Sequence, residues 1–271
     1  MSFSDQVVAT PDPPSKGVHN PIHDAQGTDA AGYAGALVAG VRTYGWAVQT
    51  IVSALGAQWR SSGWVDVQLR RPLYAEETLT TNVSGNGNTV EVSCEVTTEK
   101  KVVMNGTAGM GIAPWVSDLT PPNPAPPGET NPPLPTYLLD TAPLNKPLVP
   151  LGAWVTNATA QDIVVSDLGL DDPHYSGTAN ATPIHPYFIA GRMAPLTRHN
   201  FTYGPTIHVR SQIQNVREAL SDRQIVVGAQ IVDVYERKGH WYQVLDGVVT
   251  DEDGLLAKIR HHTIFRPRLA P

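Results

Sequence analysis

Between residues 37 and 55 the apolar positions are Leu37, Val38, Val41, Tyr44, Val48, Ile51, Val52 and Leu55. That spacing predicts an amphipathic helix of about five turns. Small residues are interleaved with this stripe: Ala34, Gly35, Ala36, Ala39, Gly40, Gly45 and Ala47. Glycine inside a helix costs about 1 kcal/mol relative to alanine, so this density suits a helix around which a sheet wraps closely. Gly56 is the expected stop.

After the helix the pattern changes to period two. Stretches 64–69, 79–84, 89–97 and 102–112 read as strands, with Gly85-Asn86-Gly87-Asn88 and Glu99-Lys100-Lys101 as turns between them. Residues 1–16 are polar and proline-containing and hold at most one short strand, near 6–9. Residues 117–136 are proline-dense, cannot bond as a helix or central strand, and read as an extended linker. Beyond them, 151–167 leads into a turn at 169–175. A shorter apolar segment follows over 187–201, kinked or divided at Pro195. Alternating stretches then run over 207–215, 224–235, 241–250 and 255–265, joined by turns at 237–240 and 251–254. The same order of elements on both sides of the linker suggests an internal duplication, with units at 1–116 and 137–271 around the linker 117–136.

Composition narrows the class. The chain has 271 residues, 41% hydrophobic and 16% charged, as in a folded protein with a real core. A net charge of -6 argues against a nucleic-acid partner. The lone Cys94 excludes an internal disulfide and a thiolate metal cluster, and its alternating context predicts a small buried side chain. No apolar run approaches the roughly 18 residues of a membrane span, and the first residues lack the basic-then-apolar pattern of a secretory signal. The cytoplasm is the expected location.

The candidate chemistry precedes the helix. Gly17-Val18-His19-Asn20-Pro21-Ile22-His23 resembles the Gly-Asp-x-Asn-Pro-(Leu/Ile/Val)-His signature of MaoC-like (R)-specific enoyl-CoA hydratases and dehydratases. Ala30-Ala31-Gly32-Tyr33, Leu37-Val38-Ala39-Gly40 and the closing stretch His261-His262-Thr263-Ile264-Phe265-Arg266-Pro267 are also similar to that family. The resemblance implies an α+β double hotdog fold, each half a long helix wrapped by an antiparallel sheet. It further implies addition or removal of water at a 2-enoyl or 3-hydroxyacyl thioester of coenzyme A or a carrier protein, with no cofactor, in a homodimer or hetero-oligomer. One departure matters: the family's aspartate aligns with Val18. The matching turn of the second half has Tyr175 where the histidine would fall.

His23 can exchange a proton near neutrality and is the candidate acid/base; the alternative is a structural loop histidine. Asn20 would orient His23 or a water, or else bond its own turn. The resemblance implies that Gly40, with Val41, offers a helix-terminal N–H to the thioester carbonyl; otherwise Gly40 serves close packing. Asp24 or Asp171 would replace the absent carboxylate, although Asp24 also suits a cap. His19 reads as a surface residue. His185, His199 and His208 lack metal-ligand spacing, and His261 and His262 face opposite sides of one strand, so no metal is expected. Arg192, Arg198 and Arg210 would meet phosphates or serve as surface charge. Rival readings are single-base chemistry in the same pocket (thioester hydrolysis, elimination or cyclisation) and a non-catalytic subunit that binds acyl thioesters.

Overall fold

The computed structural model describes residues 1–13, 20–24, 28, 32–176 and 181–268. Gly17, Val18, His19, Ala30 and Ala31 lie outside them, and with them the expectations for Val18 and His19.

The strands are β1 Ser2–Val8, β2 Gly63–Leu69, β3 Thr78–Asn86, β4 Thr89–Val96, β5 Lys101–Met110, β6 Leu151–Val155, β7 Ile207–Asn215, β8 Arg223–Arg237, β9 His240–Asp251 and β10 Gly254–Arg266. They form one sheet in the order β1-β3-β4-β5-β2-β7-β10-β9-β8-β6, and every neighbouring pair is antiparallel. Read outward from the β2–β7 seam, both sides have the same connectivity: the second strand of each set is innermost and the first is outermost. The seam runs from Trp64 opposite Gln214 to Gln68 opposite Arg210. Asp66 holds it on the polar face, accepting from Arg210 Nε at 2.8 Å and Gln212 Nε2 at 3.1 Å. Arg210, a candidate phosphate contact from sequence, is therefore committed to a carboxylate.

The strand alternation is set by burial. β4 buries Val90, Val92, Cys94 and Val96 and turns Glu91, Ser93 and Glu95 outward. Cys94 is fully buried, and burial pushes its thiol up to about 12. β6 carries no alternating signal in its five residues and is an addition to the strands read from sequence.

Helix α1 spans Gly40–Leu55 and buries Tyr44, Trp46, Ala47, Val48 and Ile51 against the sheet. The apolar stripe begins earlier, at Leu37, but the helix does not. Leu37 is bridged to Tyr74, and Val38 N–H bonds to Leu73 O at 2.9 Å, so both are extended. At Gly45 a Cβ would lie 2.9 Å from Leu168 and 3.1 Å from Tyr187, which accounts for one of the helix glycines. The remaining helices are α2 Trp59–Ser62, α3 Asn157–Asp162 (continuing as a π-turn to Asp167), α4 Pro186–Ala190 and α5 Met193–Asn200. The sequence expectation of a break at Pro195 is corrected: the apolar segment divides at Gly191-Arg192. Pro195 occupies the third position of α5, where its missing N–H leaves no intrahelical bond unmade.

Candidate functional site

Asn20-Pro21-Ile22-His23 forms a single 3-10 turn, with proline fixing its start and the Asn20 side chain capping it. Ile22 is buried and anchors the turn. His23 is thereby turned towards the start of α1. Its Nδ1 lies 2.7 Å from Leu37 O and 2.9 Å from Asp12 Oδ2. Both partners are acceptors, so Nδ1 carries the hydrogen and Nε2 the lone pair. Asn20 fixes the other edge of the ring. Its Oδ1 accepts from Thr206 N–H at 3.0 Å, which orients the amide. Its Nδ2 donates to Thr206 O at 3.0 Å and faces His23 Nε2 at 3.1 Å. Thr206 immediately precedes β7, so the histidine is positioned by both sides of the seam.

Asp12 is the carboxylate that the sequence reading lacked, and the expectation of Asp24 or Asp171 in that place is corrected. Asp24 closes the 3-10 turn through its backbone N–H to Pro21 O, and Asp171 is exposed. Asp12 follows β1 and reaches the amino end of α1. There it accepts from Ala39 N–H at 3.1 Å and from Arg42 Nη1 at 3.0 Å. Arg42 is buried, and all five of its N–H groups are used: on Thr10 O and Oγ1, on Asp167 O from both Nε and Nη2, and on Asp12. This network holds the carboxylate in place. Burial alone would raise the Asp12 pKa and lower that of His23. The hydrogen bond and charge between them outweigh it, so Asp12 lies below the usual carboxylate range and His23 above 6.5, with the Arg198 charge opposing the latter.

A cavity of about 350 Å³ adjoins this pair. Asn20, His23, Gly40, Val41 and Leu69 line it from one side of the seam, and Ala190, Thr206, His208, His261 and Thr263 from the other. Gly40 and Val41 open α1, where N–H groups have no intrahelical acceptor. A Cβ on Gly40 would stand 2.9 Å from Leu69 Cγ and 3.2 Å from His208 Nδ1, so packing as well as access to the backbone requires glycine there. The exposed Arg70 and Arg71 border the same cavity. Of the arginines singled out from sequence, Arg192 lies over the Phe188 ring at 4.0 Å, its guanidinium pushed down to about 10 by burial. Arg198 lies over Tyr203 at 4.6 Å, beside Thr206.

The corresponding place in the second set of elements is filled. Asp172 caps a 3-10 turn over Pro173–Tyr175, as Asn20 caps its own. Tyr175 is buried, and its hydroxyl accepts from Arg60 Nε at 2.9 Å. The helix that follows opens with Pro186, which has no N–H to present. The cavity there is about 10 Å³. His185 and His199 belong to packing and capping: His185 Nδ1 accepts from Tyr187 N–H, and His199 Nε2 bonds to Gly128 O. Among the described residues no group of three or more His, Cys, Asp or Glu is placed to hold a metal ion, and no helix is long and apolar enough to cross a membrane.

No family model and no curated protein matches the sequence. Solved structures do match along nearly the whole chain. A MaoC domain dehydratase from Chloroflexus aurantiacus aligns over 99% of this chain and 95% of its own, at 12% identity and a TM-score of 0.62. A Mycobacterium tuberculosis protein described as having a double hotdog fold aligns over 89% and 86%, at 14% identity and a TM-score of 0.58. A thioesterase from Novosphingobium aromaticivorans aligns over 97% and 96%, at 14% identity and a TM-score of 0.54. The chain has the α+β double hotdog fold, which its structural neighbours use in proteins named as MaoC-like dehydratases and as thioesterases.

Proposed function

We propose that the protein adds water to, or removes it from, a 2-enoyl/3-hydroxyacyl thioester, with His23 as the acid/base and Asp12 as its carboxylate partner. The observation that carries this reading is the contact between Asp12 Oδ2 and His23 Nδ1 at 2.9 Å, beside a cavity that opens onto the start of α1. In the hydration direction, a water held beside Asn20 and His23 attacks the β-carbon and gives its proton to His23 Nε2, which the Asn20 amide releases as the proton arrives. The imidazolium is stabilised by Asp12 and then delivers that proton to the α-carbon, leaving His23 neutral. Charge that develops on the thioester oxygen is met by the N–H groups of Gly40 and Val41 at the helix terminus. Asn20 keeps the ring in register. Arg70 and Arg71 at the cavity border supply positive charge for the phosphates of coenzyme A or of a carrier-borne arm.

The names of the structural neighbours also allow a hydrolase, in which the same water would attack the carbonyl carbon and free a thiol. One assay separates the two. With crotonyl-CoA and longer trans-2-enoyl-CoAs, loss of enoyl absorbance without thiol release is expected. Thiol release without hydration would assign hydrolysis, and binding without either reaction would assign a non-catalytic subunit. His23→Ala is expected to lower kcat by about 10³-fold or more; an unchanged rate would sink the assignment of His23.

A further inference from the structure

The wall of the cavity formed by β7 and β10 contains polar groups that the proposed reaction does not use. His208, on β7, and His261, on β10, are in tilted ring contact at 4.5 Å and share one hydroxyl: Ser211 Oγ lies 2.8 Å from His208 Nε2 and 2.9 Å from His261 Nδ1. All three side chains are buried or nearly so, and both histidines line the cavity. Burial chiefly keeps them neutral: His208 is pushed down to about 4, with the Arg210 backbone opposing and His262 assisting, and His261 well below 6.5, with His208 and His262 assisting.

The direction of this chain follows from its sealed end. His208 Nδ1 is buried and has no hydrogen-bond partner. A buried N–H without an acceptor is rarer and more costly than an under-used acceptor. Nδ1 therefore carries the lone pair, and the proton sits on Nε2, which donates to Ser211 Oγ. The serine hydroxyl has one hydrogen, and it goes to His261 Nδ1. The hydrogen of His261 is then on Nε2, the edge of the ring for which no partner exists among the described residues. Two residues further along the same face of β10, Thr263 also lines the cavity. Its Oγ1 accepts from Gln243 Nε2 at 2.8 Å, which leaves the Thr263 hydroxyl hydrogen to be donated.

We infer that His261 Nε2–H and the Thr263 hydroxyl form a two-donor subsite for an oxygen acceptor carried on the acyl chain, a keto or hydroxyl group, so that the preferred thioesters are oxygenated rather than plain alkyl chains. The inference rests on the acyl-thioester reading above and names the substrate class of that site. His208 packs against Gly40, where the thioester carbonyl is held, through Nδ1, and its ring contacts that of His261 at 4.5 Å, so His208 separates the carbonyl position from the two donors. The two donors thus face a different part of the substrate. A buried donor left unpaired by an alkyl chain is penalised, and the same donor met by oxygen is not.

Calorimetric binding to the full chain tests this, comparing octanoyl-CoA with octanoyl-CoA bearing a keto group at successive carbons. At least one keto ester is expected to bind about tenfold or more tightly than octanoyl-CoA. That advantage should shrink several-fold in Thr263→Val, which keeps the side-chain shape, and in His261→Phe, because the keto ester loses a donor and octanoyl-CoA is relieved of an unpaired one, with folding checked by thermal melts. Equal affinity of keto and plain esters in the parent protein would overturn the subsite, as would an advantage retained in Thr263→Val. A uniform loss for all esters in the variants would place the donors on the thioester carbonyl and overturn it too, while the function proposed above stands. If no ester of either kind binds, the acyl-thioester reading fails and the inference fails with it.

Discussion

At the scale of single residues, the question is what Asp12 does for His23. A carboxylate on Nδ1 fixes the tautomer and stabilises the protonated ring. Removing its charge while keeping its shape should therefore have two separable effects. In Asp12→Asn the pKa of His23 falls, because burial and the Arg198 charge still lower it while the hydrogen bond and charge of Asp12 that raised it are lost, leaving only the Leu37 carbonyl to oppose them. The acid limb of the pH–rate profile, which reports deprotonation of the base, should move to lower pH. The rate on the plateau should drop by about 10²–10⁴-fold, as for loss of the orienting acid in a histidine dyad. A profile that stays in place while the rate falls would mean that Asp12 acts only on the fold. Asn20 and His23 were legible in the sequence because their turn is local, three residues with proline at its head. Asp12 was not: it reaches the site from the end of an edge strand, across a segment whose sequence carries no periodic signal. One sign was available. Arg42 falls within the buried helix stripe, and a buried guanidinium requires an anion or several carbonyl oxygens; this one has both.

At the scale of elements, alternation and helical spacing located most strands and the central helix, because each shows one face to the core and one to water. They failed where that contrast is absent. β6 is short and lies at the edge of the sheet, and its Trp154 is exposed. The stripe that begins at Leu37 reads as helix, although the first two of its residues bond as an extended bridge to Leu73 and Tyr74. The start of α1 matters for function, since it sets which N–H groups face the cavity. The Gly40→Ala variant gains up to about 1 kcal/mol of helix propensity. It also forces a Cβ against Leu69 and His208, at an overpacking cost of about 1–3 kcal/mol. A modest net loss is expected by chemical denaturation, together with a larger loss in kcat/KM as the cavity floor shifts. Adding Leu69→Ala should restore part of the rate by giving the new methyl room. The filled second site predicts the opposite split. Tyr175→Phe leaves the buried Arg60 Nε without its acceptor, so about 1–3 kcal/mol of stability should be lost, with turnover unchanged within about twofold.

At the scale of the whole molecule, the repeated topology explains how one open cavity can persist beside a closed one. The seam β2–β7 brings Thr206, His208, His261 and Thr263 of one repeat to the turn of the other. The second turn is plugged by Arg60 and Tyr175 and stabilises the assembly. Element order alone exposed this repeat in the sequence, but not which half would be occluded, because that depends on Arg60 and Pro186, residues with no chemistry in common. Buried imidazoles also set how the fold responds to acid. His185 is pushed down to about 3 and His208 to about 4, with His261 well below 6.5, all chiefly by burial. In the unfolded chain each titrates near 6.5. Between that value and the folded ones, the unfolded state binds more protons, so stability falls as pH falls, by up to about 1.4 kcal/mol per pH unit for each histidine. His23, whose folded pKa is raised, contributes with the opposite sign: its stabilisation is full below about 6.5 and fades only as pH rises through the folded value. It therefore cannot offset further loss once the pH is well below that range. Urea midpoints should thus decline steeply from pH 7 to pH 5, before most carboxylates titrate. The double substitution His208→Gln, His261→Gln should flatten that decline by up to two protons' worth of slope. An unchanged slope would mean that these imidazoles are already protonated in the native protein, and that the Ser211 chain runs differently from the direction assigned to it.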